Sequence, residues 1–143
     1  MRLSGCIFCK VAQDKSAPTF IAEMEPSVAL LNFDQQNYPG RSLVVLKEHY
    51  EDYLKIPHGL REAFNEDMAH VSSAVQQAFG ADRINYANLG NEVSHQHWHV
   101  IPRYKGDTNE GRPPWPVSAW EKLTADEYRA IAGKIRNALD LNS

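Results

Sequence analysis

Ser94-His95-Gln96-His97-Trp98-His99-Val100-Ile101-Pro102-Arg103-Tyr104 carries a histidine at every second position from 95 to 99. A period of two belongs to an extended strand, in which alternate side chains share a face, so three imidazoles line one surface while Gln96, Trp98 and Val100 turn to the other. Half of the chain's six histidines gather there. Imidazoles are poor core filling, because each ring brings a polar nitrogen that needs a partner when buried. The pattern therefore points to a working face, either a metal site or a nucleophilic histidine, against the plainer alternative of a solvated strand rich in histidine. The apolar Val100-Ile101-Pro102 that follows speaks against that alternative.

Upstream of this stretch, Ile84 to Leu89 alternates as a strand and Gly90 to Val93 turns, which makes it the antiparallel hairpin partner of Ser94 to Ile101. Before it, Leu60, Phe64, Met68, Val71, Val75 and Phe79 are spaced by three or four, predicting a covering helix over Leu60 to Phe79 that ends at Gly80. His58 in the loop before it and His70 off its apolar row read as solvated surface residues. Phe20 to Met24 and Val28 to Asn32 read as strands joined at Glu25-Pro26-Ser27. Asp34 to Gly40 is a polar loop, and Ser42 to Leu46 is a buried central strand. Downstream, Gly106 to Pro116 is a loop flanked by Trp115 and Trp120, which read as packing it down in preference to stacking on a base, and Thr124 with Glu127 forms a capping box opening a helix with the stripe Tyr128, Ile131, Ile135 and Leu139. The expected fold is α+β: an antiparallel sheet of about five strands with one long covering helix and a C-terminal helix.

At 143 residues the chain is read as one domain, 1–143, with 43% hydrophobic and 23% charged residues. A net charge of -3 gives no basic footprint, which excludes duplex nucleic acid as an expected partner and leaves small phosphorylated ligands open. No early apolar run resembles a signal peptide or a membrane span, so the expected location is the cytoplasm. Cys6 and Cys9, the only cysteines, have C-x2-C spacing; in a reducing compartment this suits a thiolate pair for metal, or two plain buried thiols, better than a structural disulfide.

Two chemistries remain for the histidines. A metal held by all three lacks the carboxylate that usually completes such a sphere, since no acidic residue follows until Asp107. A nucleophilic histidine needs a neutral nitrogen aimed at an electrophile, its other nitrogen held as a donor, and further donors for developing charge.

His95-Gln96-His97-Trp98-His99-Val100-Ile101 resembles the signature of the histidine triad (HIT) superfamily, and Pro102-Arg103-Tyr104 is similar to its dinucleoside-polyphosphate hydrolase-like branches. The likeness covers roughly residues 5 to 104. Asn32 to His49 resembles the ribose-binding loop with its following strand, and Cys6-Ile7-Phe8-Cys9 the frequent N-terminal knuckle; 105–143 is then a C-terminal loop and helix. The resemblance implies a hydrolase or transferase acting at the α-phosphate of a nucleotide conjugate, of dinucleoside polyphosphate or nucleoside phosphoramidate type, through a nucleotidyl-histidine intermediate. It implies His97 as nucleophile and His99 as phosphate contact. Asn88, Gly90 and Asn91 become phosphate donors, and Asp34 or Asn32 the ribose acceptor. It also implies a structural zinc on Cys6, Cys9, His49 and His95, a small-molecule nucleotide substrate, and a homodimer.

Three positions depart from the family pattern. Glu92 stands where a small hydroxyl residue is common, Arg41 where a histidine often follows Pro-Gly, and Gln96 where an apolar residue is usual. Arg41 is a fixed charge suited to a longer polyphosphate or else a surface residue. Gln96 either loosens the back of the strand or bonds a neighbour. The competing functions are a non-catalytic nucleotide-binding or adaptor protein, and a metal-dependent hydrolase with the triad as ligands.

Overall fold

The computed structural model describes residues 4–33, 36–116 and 121–141. Its elements are α1 (Ile7–Val11), β1 (Phe20–Glu23), β2 (Ser27–Leu31), β3 (Ser42–Leu46), α2 (His58–Phe79), β4 (Arg83–Ala87), β5 (His97–Arg103) and α3 (Ala125–Leu141), with a 3₁₀ turn at Tyr53–Lys55. The strands form one antiparallel sheet in the order β1-β2-β3-β5-β4. This is the expected α+β architecture.

The two sheet faces are covered differently. On one, Phe64, Val71 and Val75 of α2 and Tyr128, Ile135 and Leu139 of α3 meet Leu31, Val44, Leu46 and Val100 in the main core. Met68 and Leu60 complete the α2 row as half-buried neighbours. On the other face a smaller cluster of Val28, Leu43 and Val45 is roofed by Phe8 and Ala12 from the α1 region. Every residue of β3 is buried, as its branched composition requires of a strand covered on both sides.

Helix ends follow local chemistry. α2 starts at His58, two residues before the hydrophobic row, behind Pro57 at the N-cap. It ends at Gly80, whose φ of 64° closes the last turn with its N–H donating to the Gln76 carbonyl at 2.8 Å. His58 is therefore helical rather than in a loop, and both it and His70 are exposed. The capping box forms as expected: the Thr124 N–H donates to Glu127 Oε1 (3.1 Å) and the Glu127 N–H to Thr124 Oγ1 (3.2 Å). From α3, Arg136 reaches across to β1 and donates to the carbonyls of Ile21 (2.6 Å) and Phe20 (2.9 Å), beside the register shift in that strand.

The hairpin carrying the histidines is offset from its expected bounds. β5 runs from His97 rather than Ser94, and β4 stops at Ala87 rather than Leu89. Gln96 supplies the reason, for its N–H donates to the Tyr50 carbonyl (2.8 Å) and its own carbonyl accepts from Leu46 (3.2 Å), which ties the chain before His97 to the segment after β3. Its side chain accepts from Asn88 (2.9 Å) and donates to the Glu51 carbonyl (3.0 Å). Of the two outcomes expected for Gln96, the bonded one is observed.

The segment before β3 is less polar inside than its composition indicates. Tyr38 is fully buried, and Gln36 donates to the carbonyls of Asn32 (3.0 Å) and Arg41 (2.8 Å) while accepting from the Gly40 N–H (3.0 Å). Gly40 has φ 93°, and a Cβ there would lie 2.9 Å from the Phe79 ring. Gly40→Ala should therefore cost roughly 1–3 kcal/mol, since a side chain is strained at positive φ. Thermal unfolding should show a melting temperature lower by roughly 3–10 °C; an unchanged value would refute the packing described for this loop.

Candidate active site

The register of β3 against β5 sets Val45 beside His97 and Leu43 beside His99. Strand alternation then carries Arg41 and Ile101 into the next row of the same face, the face roofed by Phe8. His97 is buried, and its Nδ1 lies 2.7 Å from the His95 carbonyl. A carbonyl accepts only, so Nδ1 carries the proton and Nε2 keeps a lone pair. Burial pushes the His97 pKa down, which holds the ring neutral; the edge of Phe8, 4.6 Å away between centroids, is part of that burial.

His99 stands next in the row with its ring centroid 4.9 Å from that of His97. Burial, then His97 and Arg41, push its pKa down to about 3. Its other neighbour is Trp115, edge-on at 5.2 Å. The Nδ1 of His99 is buried and has no hydrogen-bond partner.

His95 precedes the strand and faces a different set of groups. Its Nε2 sits 2.5 Å from the Leu46 carbonyl and so bears the proton, leaving the Nδ1 lone pair to point at Cys6 Sγ (3.4 Å), Cys9 Sγ (3.5 Å) and His49 Nδ1 (3.1 Å). Cys9 Sγ is also 3.5 Å from His49 Nδ1. One turn of α1, with Cys6 as its N-cap, sets the two sulfurs side by side. The four donor atoms lie within 4.8 Å of one another, and neither cysteine is in a disulfide. Nε2 of His49 faces Glu51 (3.4 Å), which favours its proton on that side. The two Nδ1 atoms, 3.1 Å apart, need either a proton on His49 or a cation between them. This donor set could hold a metal, and its spacing fits a tetrahedral zinc with Zn–S of about 2.3 Å and Zn–N of about 2.0–2.1 Å. It includes His95 but neither His97 nor His99, so the three triad histidines do not converge on one ion.

The remaining expected residues are distributed around this row. Asn32 is buried at the end of β2, with its N–H donating to the Arg41 carbonyl (2.9 Å) and its Oδ1 without a hydrogen-bond partner. Asp34, like Trp120, lies outside the described residues. Asn88 donates to Gln96, while Gly90 (φ 67°) and Asn91 shape the turn before the histidines, where Glu92 is exposed.

Arg41 is not a surface residue. It is 0% exposed, and none of its three guanidinium nitrogens has a hydrogen-bond partner. The group lies 5.2 Å from the Trp115 ring centroid and 5.8 Å from that of Tyr38. Burial, with Arg103 nearby, lowers its pKa to about 10. Arg103, by contrast, is bound through two nitrogens to Asp107 (2.8 and 3.0 Å) and donates to Asn85 (2.9 Å). Sequence reasoning left Arg41 undecided and gave Phe8 and Trp115 no place beside the histidines. Burial set by strand register and a distant loop carries no local signal.

A neutral histidine with one nitrogen fixed by a carbonyl and the other free, a second histidine beside it, and a five-stranded antiparallel sheet backed by two helices define the histidine triad class. The HIT domain model matches residues 13–106, and the chain belongs to the HIT family. It is 34% identical to an uncharacterized HIT-like protein of Methanocaldococcus jannaschii over 71% of this chain and 81% of that one. An adenosine 5′-monophosphoramidase of Schizosaccharomyces pombe is 28% identical over 92% of this chain and 99% of that one. An adenylylsulfatase of Arabidopsis thaliana is 28% identical over 73% of this chain and 55% of that one. Among solved structures, a histidine triad protein from Sinorhizobium meliloti superposes with a TM-score of 0.77 at 25% identity, over 83% of this chain and 87% of that one. A zinc-bound histidine triad family protein from Mycobacterium smegmatis shares the fold with a TM-score of 0.72 at 22% identity, over 96% of this chain and 95% of that one.

Proposed function

We propose that the chain, acting as one domain, is a nucleotide hydrolase or transferase that attacks the α-phosphorus of a nucleotide conjugate and passes through a nucleotidyl-His97 intermediate. The observation that carries this is the 2.7 Å bond from His97 Nδ1 to the His95 carbonyl, which fixes the tautomer with its lone pair on Nε2. The Nε2–P bond forms as the bond from phosphorus to the leaving group breaks, and the leaving group departs with that electron pair. Water then attacks the same phosphorus, releases its proton to solvent, and returns the P–N electron pair to Nε2. His99, neutral beside it, donates to a phosphate oxygen, with further donors from Asn88, Gly90 and Asn91; Asn32, with Asp34, takes the ribose hydroxyls. The phosphoramidase and adenylylsulfatase relatives support cleavage at such a phosphorus.

Replacing His97 by Asn should abolish nearly all turnover while nucleotide binding persists, because the lost interaction belongs to the transition state. Intact mass after brief incubation with substrate and an alkaline quench should show a nucleotidyl adduct on the wild type only. Wild-type activity in His97→Asn would sink the assignment, and tight binding with no adduct and no turnover would favour a nucleotide-binding protein.

We further propose that Cys6, Cys9, His49 and His95 hold zinc, in keeping with the zinc-bound relative. Bound there, zinc supplies structure and activates no water, since all four ligands are protein. Those ligands would clip α1 to the residue whose carbonyl orients His97. Elemental analysis should find about one zinc per chain in protein purified without chelator, and Cys6→Ser should lower both zinc content and melting temperature. Chelator-independent stability, with both thiols readily alkylated in the folded state, would rule the clip out.

A thiolate pair held for zinc suits a reducing, cytoplasmic location. Among the described residues no helix is long and apolar enough to cross a membrane. Among the described residues no strand pairs with the outer side of β4, and Tyr86 on it and Leu89 just beyond it are exposed, which supports a homodimer formed through that edge. Light scattering should give twice the chain mass, and Tyr86→Glu should halve it; a wild-type monomer at micromolar concentration would refute the pairing.

A further inference from the structure

An arginine without a partner is seldom buried, because a guanidinium removed from water needs either a counter-charge or hydrogen bonds to its five donors. Among the described residues Arg41 has neither acid nor hydrogen-bond acceptor at any nitrogen, whereas Arg103 close by is engaged with Asp107. The placement of Arg41 is equally specific. Its backbone adjoins Asn32 on the β2 side, but its guanidinium extends the other way, between Tyr38 and Trp115. Trp115 also touches His99, so the unpaired charge lies beside the second histidine of the row. The guanidinium therefore lies further along the face that carries His97 and His99, where a charged group extending from a phosphorus at His97 past His99 would meet it.

We propose that Arg41 is the receptor for an anionic leaving group, which makes the chain selective for nucleotide conjugates that release an oxyanion such as sulfate or a phosphate chain. This rests on the reaction assigned above. As the bond to phosphorus breaks, the departing oxygen takes the electron pair, and the group it leaves with gains negative charge that the guanidinium fork matches through paired N–H donors. The half-buried Trp115 indole is the cover on Arg41, and the incoming anion takes its place against the guanidinium. Such an exchange replaces one planar, cation-binding surface by charge-assisted hydrogen bonds.

The test compares wild type with Arg41→Met and Arg41→Lys. In anion-free buffer, Arg41→Met should melt no lower than wild type, because it removes an unpaired buried charge. Inorganic sulfate should raise the melting temperature of wild type more than that of Arg41→Met, the difference correcting for the general effect of sulfate on folded proteins. The ratio of kcat/KM for adenosine 5′-phosphosulfate to that for adenosine 5′-phosphoramidate, whose leaving group is uncharged, should fall by about 10- to 100-fold in Arg41→Met, with Arg41→Lys between the two. An equal loss on both substrates, or an unchanged ratio, overturns the proposal. If Arg41→Met does not fold, Arg41→Lys carries the ratio measurement alone. Should wild type cleave neither substrate, the reaction assignment fails by itself. Sulfate stabilisation that depends on Arg41 then still supports the receptor, and its absence ends that too.

Discussion

The pairing of β3 with β5 is the contact on which the site depends. Those strands are far apart in sequence, separated by α2 and β4, and their register decides which side chains of β3 stand beside the histidines. A shift of one residue would turn His97 and His99 into the helix-covered core and leave Trp98 and Val100 on the open face. The same pairing brings the end of β3 to the start of β5. There, Leu46 accepts from His95, and His49, three residues on, faces the same ring. The tautomer-fixed His97, the neighbouring His99, the Cys/His cluster and the buried Arg41 are thus consequences of one register rather than four separate arrangements.

The two faces of the sheet show how differently one strand can spend its side chains. Val44, Trp98 and Val100 face α2 and α3, where burial of apolar surface supplies the stabilisation. The opposite face keeps buried polar atoms without partners: Asn32 Oδ1, His99 Nδ1 and the nitrogens of Arg41. Each is a destabilising feature on its own, and folded proteins hold few of them. Their collection on one face, beside a histidine whose tautomer is fixed, means that the apolar face stabilises what the polar face leaves unsatisfied.

Much of this was legible in the chain. The alternation of His97 and His99 identified the strand and its face, and the row from Leu60 to Phe79 the covering helix, because each periodicity is a local property, whereas His95, expected on the same strand, precedes it and turns to the cysteines and His49. The hairpin bounds were less legible. Gln96 binds Tyr50 and Leu46, residues far upstream, and no feature of the local sequence announces that the strand must begin after it. Arg41 was illegible for the same reason, since an arginine reads as exposed until β3 is known to be covered on both sides. Gln36 and Tyr38 sat in what read as a polar loop. Their burial follows from Gln36 acting as an internal substitute for water on three backbone groups.

Arg136 has a bearing on how copies of this sheet can associate. Its guanidinium occupies the carbonyls of Phe20 and Ile21 on β1, where the register is already interrupted, so this outer strand presents no clean row of acceptors to another chain. Of the two edge strands, β1 carries the register shift and the arginine contacts, while β4 pairs in regular register with β5. Repeated edge-to-edge growth needs two receptive edges per molecule, and a sheet with one can add a single neighbour and then stop. Arg136 thereby takes two backbone acceptors of β1 out of reach of strand-to-strand pairing.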